Sequence, residues 1–498
     1  MRVLCLMVAI IALVAFPLMG QEKNLVLEGD WEGILKVGSA SLRIIFHIAS
    51  AQGRYTATMD SPDQGARGIP VSAVRLDGSS VVLEVASIGG SYTGSVDASF
   101  SKIEGKWKQS GMAFPLVLNK SKKGAQAQQN TPELQDAPAL QGAPAPQPQN
   151  QSVQVSQEPT PPFPYTAKDV EFINEKAGIV LAGTLTVPNG AGPFPAAALV
   201  SGSGPQNRDE EILGHKPFLV LADYLTRRGI AVLRYDDRGV GLSKGDFQSA
   251  TTFDFADDAE AALEFLARQP GIDAHRLGVI GHSEGAIIAS MLGARDPDVA
   301  FIVMLAGPGI RGDALLLMQN TALGRASGLS EAQIAQANEL NRRLYDIALE
   351  DGDAAILQKK ILDVLENAID TAEELTQEQK TAQKEKASLI AAQLVSPWMR
   401  SFFAIDPSEY LKQMRIPVLA LNGSKDLQVP ASENLAAIRA ALESAGNRSA
   451  TVVELDGLNH LFQHATTGLP SEYGEIKETF APEALALIGD WILKMNVR

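Results

Sequence analysis

The amino-acid sequence predicts an α/β fold, a mostly parallel sheet with helices on both faces and a helical cap, preceded by a small all-β barrel or sandwich domain. Three observations carry this expectation. Strand-like and helix-like segments alternate from about residue 166 to the end. Residues 24–120 hold only short stretches of period two, broken by turn residues. A proline- and glutamine-rich stretch separates these two regions. The length of 498 residues suits two or three domains rather than one.

Taken in order, the first twenty residues read as a secretory signal. Arg2 supplies positive charge, residues 3–16 are almost wholly apolar, and Pro17-Leu18-Met19-Gly20 precedes polar Gln21-Glu22-Lys23. The apolar run is shorter than the roughly 20 residues a spanning helix needs. Cleavage is expected near Gly20, which makes the mature chain extracytoplasmic, either periplasmic or secreted. Cys5 is the only cysteine. Its removal with the signal excludes disulfides, thiolate metal sites and cysteine catalysis. A net charge of −15 argues against nucleic acid or an anionic membrane surface as partner.

Residues 24–120 form the expected β domain. Leu42, Ile44, Phe46 and Ile48 alternate with Ser41, Arg43 and His47, and Val81, Leu83 and Val85 flank Glu84 in the same way. Trp31 and Trp107 are expected in its core, and His47 on a solvated face. Residues 121–165 carry nine of the chain's 27 prolines and ten glutamines. Such a stretch cannot bury enough surface to offset its ordering entropy, so a linker is expected.

Strands are expected at 179–187, 196–200, 230–234, 277–280, 301–305, 418–421 and 451–455, with helices at 218–228, 255–268, 284–294 and from 432 and 482. Residues 309–396 interrupt the alternation, contain no proline, and place Ile334, Ala337, Leu340, Leu344 and Ile347 at helical spacing. A helical insertion between two strands of such a sheet is expected to stand above the strands' carboxyl ends, where ligands bind.

Gly281-His282-Ser283-Glu284-Gly285 matches G-x-S-x-G between a strand and a helix, the setting in which that motif makes a nucleophile elbow. The turn pushes the serine hydroxyl clear of the sheet, and the glycines let strand and helix pack close to it. Serine needs a base and an orienting acid, and in this arrangement they follow it in the order acid, then histidine. Only His460 and His464 follow Ser283. His460 lies after the last expected strand, and Asp426 lies in Asn422-Gly423-Ser424-Lys425-Asp426 after the preceding one. The candidate triad is therefore Ser283, Asp426 and His460. Asp406 and Asp456 are alternative acids, and His464 is read as a surface or rim residue. His282 is read as structural.

The helix start makes the backbone N–H of Glu284 one oxyanion donor. The Gly-rich turn Ser201-Gly202-Ser203-Gly204-Pro205 nominates the N–H of Ser203 as the second. Arg208, Asp209 and Glu210 either line the substrate entrance or pair with one another. Asp236-Asp237-Arg238-Gly239-Val240-Gly241 lacks nucleotide-loop spacing and reads as a salt-linked turn bracing the loops.

With these blocks in place, residues 166–498 resemble bacterial exported α/β-hydrolases of the carboxylesterase and serine-aminopeptidase-like group. The resemblance rests on the segments from Ser201 to Glu210, Arg234 to Gly239, Gly281 to Gly285, Asn422 to Asp426 and Gly457 to His460. That pattern often has histidine where this chain has Ser201. Residues 24–120 resemble the small β domain sometimes fused ahead of such enzymes. The expected activity is hydrolysis of a small-molecule carboxylic ester through an acyl-enzyme, with no metal or organic cofactor required. The alternatives are an aminopeptidase, with Asp209, Glu210 or Glu284 receiving the substrate ammonium, and a non-catalytic binding protein on a hydrolase scaffold.

Overall fold

Strand β1 (Gly29–Val37) opens an antiparallel sheet that continues through β2 (Ala40–Ala51), β3 (Arg54–Ser61), β4 (Ala66–Val71), β5 (Ala73–Asp77), β6 (Ser80–Val85), β7 (Gly90–Val96), β8 (Lys102–Gln109) and β9 (Met112–Lys120). This computed structural model describes residue 27, the strands between residues 29 and 120, and residues 157–372 and 375–495. The expected signal segment and residues 121–156 of the expected linker lie outside the described residues.

The nine strands form one sheet in the order β4-β3-β2-β1-β9-β8-β7-β6-β5. A single barrel-like sheet, rather than the two sheets of a sandwich, follows from this order. Alternate residues point inward, so Ile44, Phe46 and Ile48 are buried together with Val81, Leu83 and Val85. Trp31 and Trp107 are fully buried with them. The Phe46 ring lies 6.2 Å from both Tyr92 and Trp107, and the Trp31 indole donates to the Leu27 carbonyl at 2.9 Å. The tryptophans fill a core rather than line a cleft.

Residues 157–495 belong to a separate compact unit with the α/β-hydrolase fold. Its eight strands are β10 (Tyr165–Asn174), β11 (Ile179–Pro188), β12 (Phe194–Val200), β13 (Ala231–Tyr235), β14 (Ile272–His282), β15 (Val299–Leu305), β16 (Val418–Gly423) and β17 (Ala450–Leu455), in the order β10-β11-β13-β12-β14-β15-β16-β17. The pairs β10–β11 and β11–β13 are antiparallel, and the others are parallel. Central strands are covered on both faces. In β12, Ala196, Ala198 and Val200 pack on one side and Ala197 and Leu199 on the other, which is why such strands read as unbroken apolar runs.

Helices α1 (Pro217–Arg227), α2 (Thr252–Ala267) and α3 (Glu284–Arg295) connect the first strands. After β15 come α4 (Gly312–Ala326), α5 (Glu331–Leu349), α6 (Ala354–Asp370), α7 (Gln377–Leu394), α8 (Pro397–Ala404) and the short α9 (Pro407–Leu411); α10 (Ala431–Ser444) and α11 (Pro482–Lys494) complete the unit. One apolar core joins α2, α3 and α10 to one face of the sheet, and a second joins α1 and α11 to the other.

The insertion builds its own core around Leu344, Tyr345, Ile361, Leu365, Ile390 and Phe403. Ser330 with Gln333, and Thr376 with Gln379, form capping boxes that start α5 and α7. The insertion extends past residue 396, because α8 packs with these helices.

Two further features differ from the sequence reading. Strand β10 was not expected. It is an edge strand whose Lys168, Asp169 and Glu171 are exposed, and such charges blunt an edge while hiding its period. The linker region also ends early. The Gln157 side chain accepts from the N–H groups of Thr479 and Phe480 and donates to the Phe480 carbonyl, so the chain is docked on the second unit well before residue 165. Among the described residues no helix is long and apolar enough to cross a membrane.

Candidate active site

The candidate residues converge at the carboxyl ends of β12, β14, β16 and β17. Ser283 directly follows β14 and precedes α3. Its backbone has φ 53° and ψ −114°, a conformation that costs on the order of 1–3 kcal/mol for a residue with a side chain. Packing enforces it. The Ser283 N–H donates to the Leu305 carbonyl at 2.8 Å. A Cβ on Gly281 would collide with the backbone of Gly285, and one on Gly285 with the carbonyl of Val200. The two glycines therefore let β14, α3 and β12 close around the turn.

Asp426 lies three residues beyond β16 with its side chain fully buried. Its Oδ1 accepts from the N–H groups of Gln428 and Val429, both at 2.8 Å. Its Oδ2 accepts from Nδ1–H of His460 at 2.8 Å. Facing a carboxylate fixes the proton on Nδ1, so Nε2 is the basic nitrogen. The His460 loop is pinned by buried Asn459, whose Oδ1 accepts from the N–H groups of Leu461 and Gln463.

The alternative acids are engaged elsewhere. Asp456 accepts from the Ser424 hydroxyl, and Asp406 caps α9 through the Ser408 N–H. His464 is exposed, with Glu478 on Nδ1 and Glu483 on Nε2.

Ser283 and His460 open onto one cavity of about 90 Å³. Ser203 and Glu284 also line it, and its apolar wall includes Leu315, Leu316, Phe402, Val429 and Leu461. Gly202 presses on Ser283, since a Cβ there would lie 3.2 Å from its Cβ. The N–H of Gly202 donates to Glu210 Oε1 at 2.7 Å. Among the described residues no acceptor takes the N–H of Ser203. Glu284 opens α3, where the helix's own carbonyls leave the first N–H groups without partners.

Sequence reasoning missed two supports and expected a third only in outline, as a salt-linked turn at Asp236–Gly241. The first is a buried pair, Glu210 and His282. His282 Nε2–H donates to the His460 carbonyl at 2.9 Å, and Nδ1 faces Glu210 Oε1 at 2.8 Å. Both ring nitrogens meet acceptors, which favours the imidazolium. Burial pulls this histidine's pKa down, but the Glu210 charge and hydrogen bond outweigh it and leave it raised. The pair ties the Gly202 turn to the His460 loop. His282's place in the motif hinted at it, whereas Glu210, at φ 50°, was read as an entrance or ammonium-binding acid rather than as this partner.

The second is Glu284. Its side chain is buried, and Oε1 accepts from the Thr252 hydroxyl at 2.7 Å and the Trp398 indole at 2.8 Å. Burial pushes its pKa up to about 6, against the pull of those two donors.

The third is the acid–base lattice beneath the Gly-rich turn. Arg208 holds Asp236 through Nε and Nη2, Arg234 pairs with Asp209, and Arg238 holds Asp258 and Asp254. Asp237 accepts from the Ser201 hydroxyl and the Gln206 N–H, and burial drives its carboxyl well above the usual range. Arg208, Asp209 and Glu210 thus each bond to other elements rather than to one another. Among the described residues no group of three or more His, Cys, Asp or Glu is placed to hold a metal ion.

Comparison with known proteins adds to this geometry. Among curated proteins, the chain is 29% identical over 301 residues to Esterase EstD of Thermotoga maritima, covering 59% of this chain and 61% of that protein. It is 33% identical over 147 residues to Esterase FrsA of Yersinia pestis, covering 29% of this chain and 33% of that one. The chain thus spans less than two thirds of either relative. Among solved structures, the Pyrococcus furiosus esterase Pf2001 aligns with a TM-score of 0.40 and 15% identity, over 66% of this chain and 91% of that one. The family model described as serine aminopeptidase, S33, matches residues 216–465. That match spans half of the chain, which belongs to the serine aminopeptidase S33 family.

Proposed function

We propose that the protein is a serine esterase that hydrolyses carboxylic esters with short acyl groups through an acyl-enzyme. The observation that carries the reading is the shared cavity. A strained serine and a histidine oriented by a buried aspartate line one small apolar pocket beside two candidate oxyanion N–H groups.

In this mechanism the Ser283 hydroxyl attacks the ester carbonyl carbon while Nε2 of His460 takes its proton. Asp426 holds the tautomer and stabilises the imidazolium. The N–H groups of Glu284 and Ser203 receive the developing oxyanion. His460 returns the proton to the departing alcohol, and water then releases the acid by the same route. A cavity of about 90 Å³ is smaller than the roughly 150 Å³ that admits benzene, which suits a short acyl chain. The two curated relatives are named esterases.

An aminopeptidase needs an acid free to bind the substrate ammonium. The three nominated acids already have partners: Arg234 for Asp209, His282 and Gly202 for Glu210, and Thr252 and Trp398 for Glu284. The buried neighbours of Ser283 thus support ester over peptide. The reading also includes export with loss of residues 1–20. Recovery of a mature protein that still begins at Met1 would contradict that part.

The test is turnover of p-nitrophenyl esters against aminoacyl anilides, together with labelling by a fluorophosphonate. Ester turnover and labelling of Ser283 are expected. Ser283→Ala should lower kcat by about 10⁶, as loss of the nucleophile does in comparable triads. Faster cleavage of anilides than of esters would favour the peptidase, and failure to label would favour a binding protein.

A further inference from the structure

The cavity above Ser283 is built from two parts of the chain. Ser203, Ser283, Glu284 and His460 come from loops at the sheet's carboxyl end. Leu315 and Leu316 on α4 and Phe402 on α8 come from the helical insertion. How far an acyl chain can extend depends on where those apolar side chains stand relative to Ser283.

One contact joins the wall directly to the residue after the nucleophile. Glu284 Oε1 accepts from the indole N–H of Trp398 on α8 at 2.8 Å, and from the hydroxyl of Thr252 at the start of α2 at 2.7 Å. Trp398 stacks on Phe402 one helical turn later, with ring centroids 5.4 Å apart and planes inclined at 26°. A continuous path of contacts therefore runs from Ser283 through Glu284 and Trp398 to Phe402. The acceptor oxygen is buried, where a hydrogen bond to a carboxylate is stronger than one between neutral groups. The indole has two faces of use: its N–H binds the core, and its ring holds the wall.

We propose that the Trp398–Glu284 hydrogen bond sets the acyl length the enzyme accepts, by fixing Phe402 as the end wall of the cavity over Ser283. Glu284 then acts twice, its backbone N–H on the oxyanion and its carboxylate as the anchor of the selectivity wall. Trp398 is a positioning residue, since it acts through Phe402. This inference rests on the esterase reading.

The experiment compares p-nitrophenyl acetate, butyrate and octanoate on the full chain. Wild-type enzyme should take acetate and butyrate and discriminate against octanoate. Trp398→Phe keeps an aromatic ring beside Phe402 but removes the N–H together with the rest of the indole's five-membered ring, so the Glu284 variants below, which leave the indole intact, isolate the hydrogen bond. It should raise the octanoate-to-butyrate ratio of kcat/KM by about tenfold, the size expected for losing one hydrogen bond to a charged acceptor. The change should lie in KM for octanoate, with kcat for acetate little altered. Glu284→Gln keeps an amide oxygen able to accept from both donors. It should hold the wild-type ratio even where its kcat falls, whereas Glu284→Ala should reproduce the ratio of Trp398→Phe.

A Trp398→Phe enzyme with the wild-type ratio overturns the inference. So does one whose rates on all three esters fall together, because that is a general structural loss. A wild-type enzyme inert to every ester overturns the esterase reading, and this inference with it.

Discussion

His460 in the α/β unit and His47 in the barrel-like unit meet aspartates at nearly the same distance, 2.8 Å for Asp426 and 2.7 Å for Asp30. The surroundings differ. The side chains of His460 and Asp426 are 6% and 0% exposed, and those of His47 and Asp30 are 39% and 43% exposed. Two unit charges 4 Å apart interact by about 1 kcal/mol in water and about 4 kcal/mol at a typical effective protein dielectric. The same bond therefore fixes a tautomer in one unit and tunes a surface charge in the other. Burial, more than bond length, separates the two pairs.

The sharpest way to break this comparison is Asp426→Asn. Oδ1 of Asp426 is held by two backbone N–H groups, so the new amide oxygen stays there and its NH₂ faces His460. Nδ1 must then become an acceptor, and the proton moves to Nε2, where it faces the serine. A fall in kcat of about 10⁴ is expected, as the equivalent change gives in serine proteases, with an unchanged melting curve. A loss below tenfold would mean that Asp426 does not set the tautomer.

The buried Glu210–His282 pair sharpens the comparison. Glu210→Leu leaves the Gly202 N–H and the His282 ring without their acceptor at a buried position. A stability loss of about 3 kcal/mol is expected from denaturant titration, typical of breaking a buried pair on one side. The sign of its pH dependence follows from the raised pKa of His282. Its contribution is fully present below the ordinary histidine value of about 6.5 and fades as pH rises through the higher folded value. The wild-type advantage over Glu210→Leu should thus be largest under mildly acidic conditions. An advantage that grows with rising pH would reverse the assignment of charge.

These pairs also show what was legible in the sequence. The fold class was, because alternating strands and helices with buried central strands leave a pattern in composition alone. Ser283, Asp426 and His460 were readable as candidates because each lies just past a strand, and strand ends can be placed from apolar runs such as 418–421. Trp398 was not, and Glu210 was named only as an entrance or ammonium-binding acid, not as the partner of His282. Each acts on the neighbourhood of Ser283 from a separate element, 72 and 114 residues distant from its partner, and no local period records such a meeting. His47 was read as solvated, because a strand's period of two reports its face and not its neighbours across strands. In the structure it lies between Asp30 on β1 and Asp60 on β3.

That surface cluster gives the smallest effect and the cleanest control. Burial lowers the pKa of His47, but its hydrogen bonds to Asp30 and Asp60, with their charges, raise it by more, so the folded value lies above 6.5. Its stabilisation of the barrel-like unit should be complete below pH 6.5 and lost as pH rises through the folded value. The magnitude is within about 1 kcal/mol, because water screens all three groups. Titration of the histidine ring resonances of the full chain, with His47→Gln assigning the signal, should place its midpoint above 6.5. A midpoint below that value would show that desolvation outweighs two carboxylates even at a half-exposed site. Solvent screening would then not explain why the paired histidines of the two units differ.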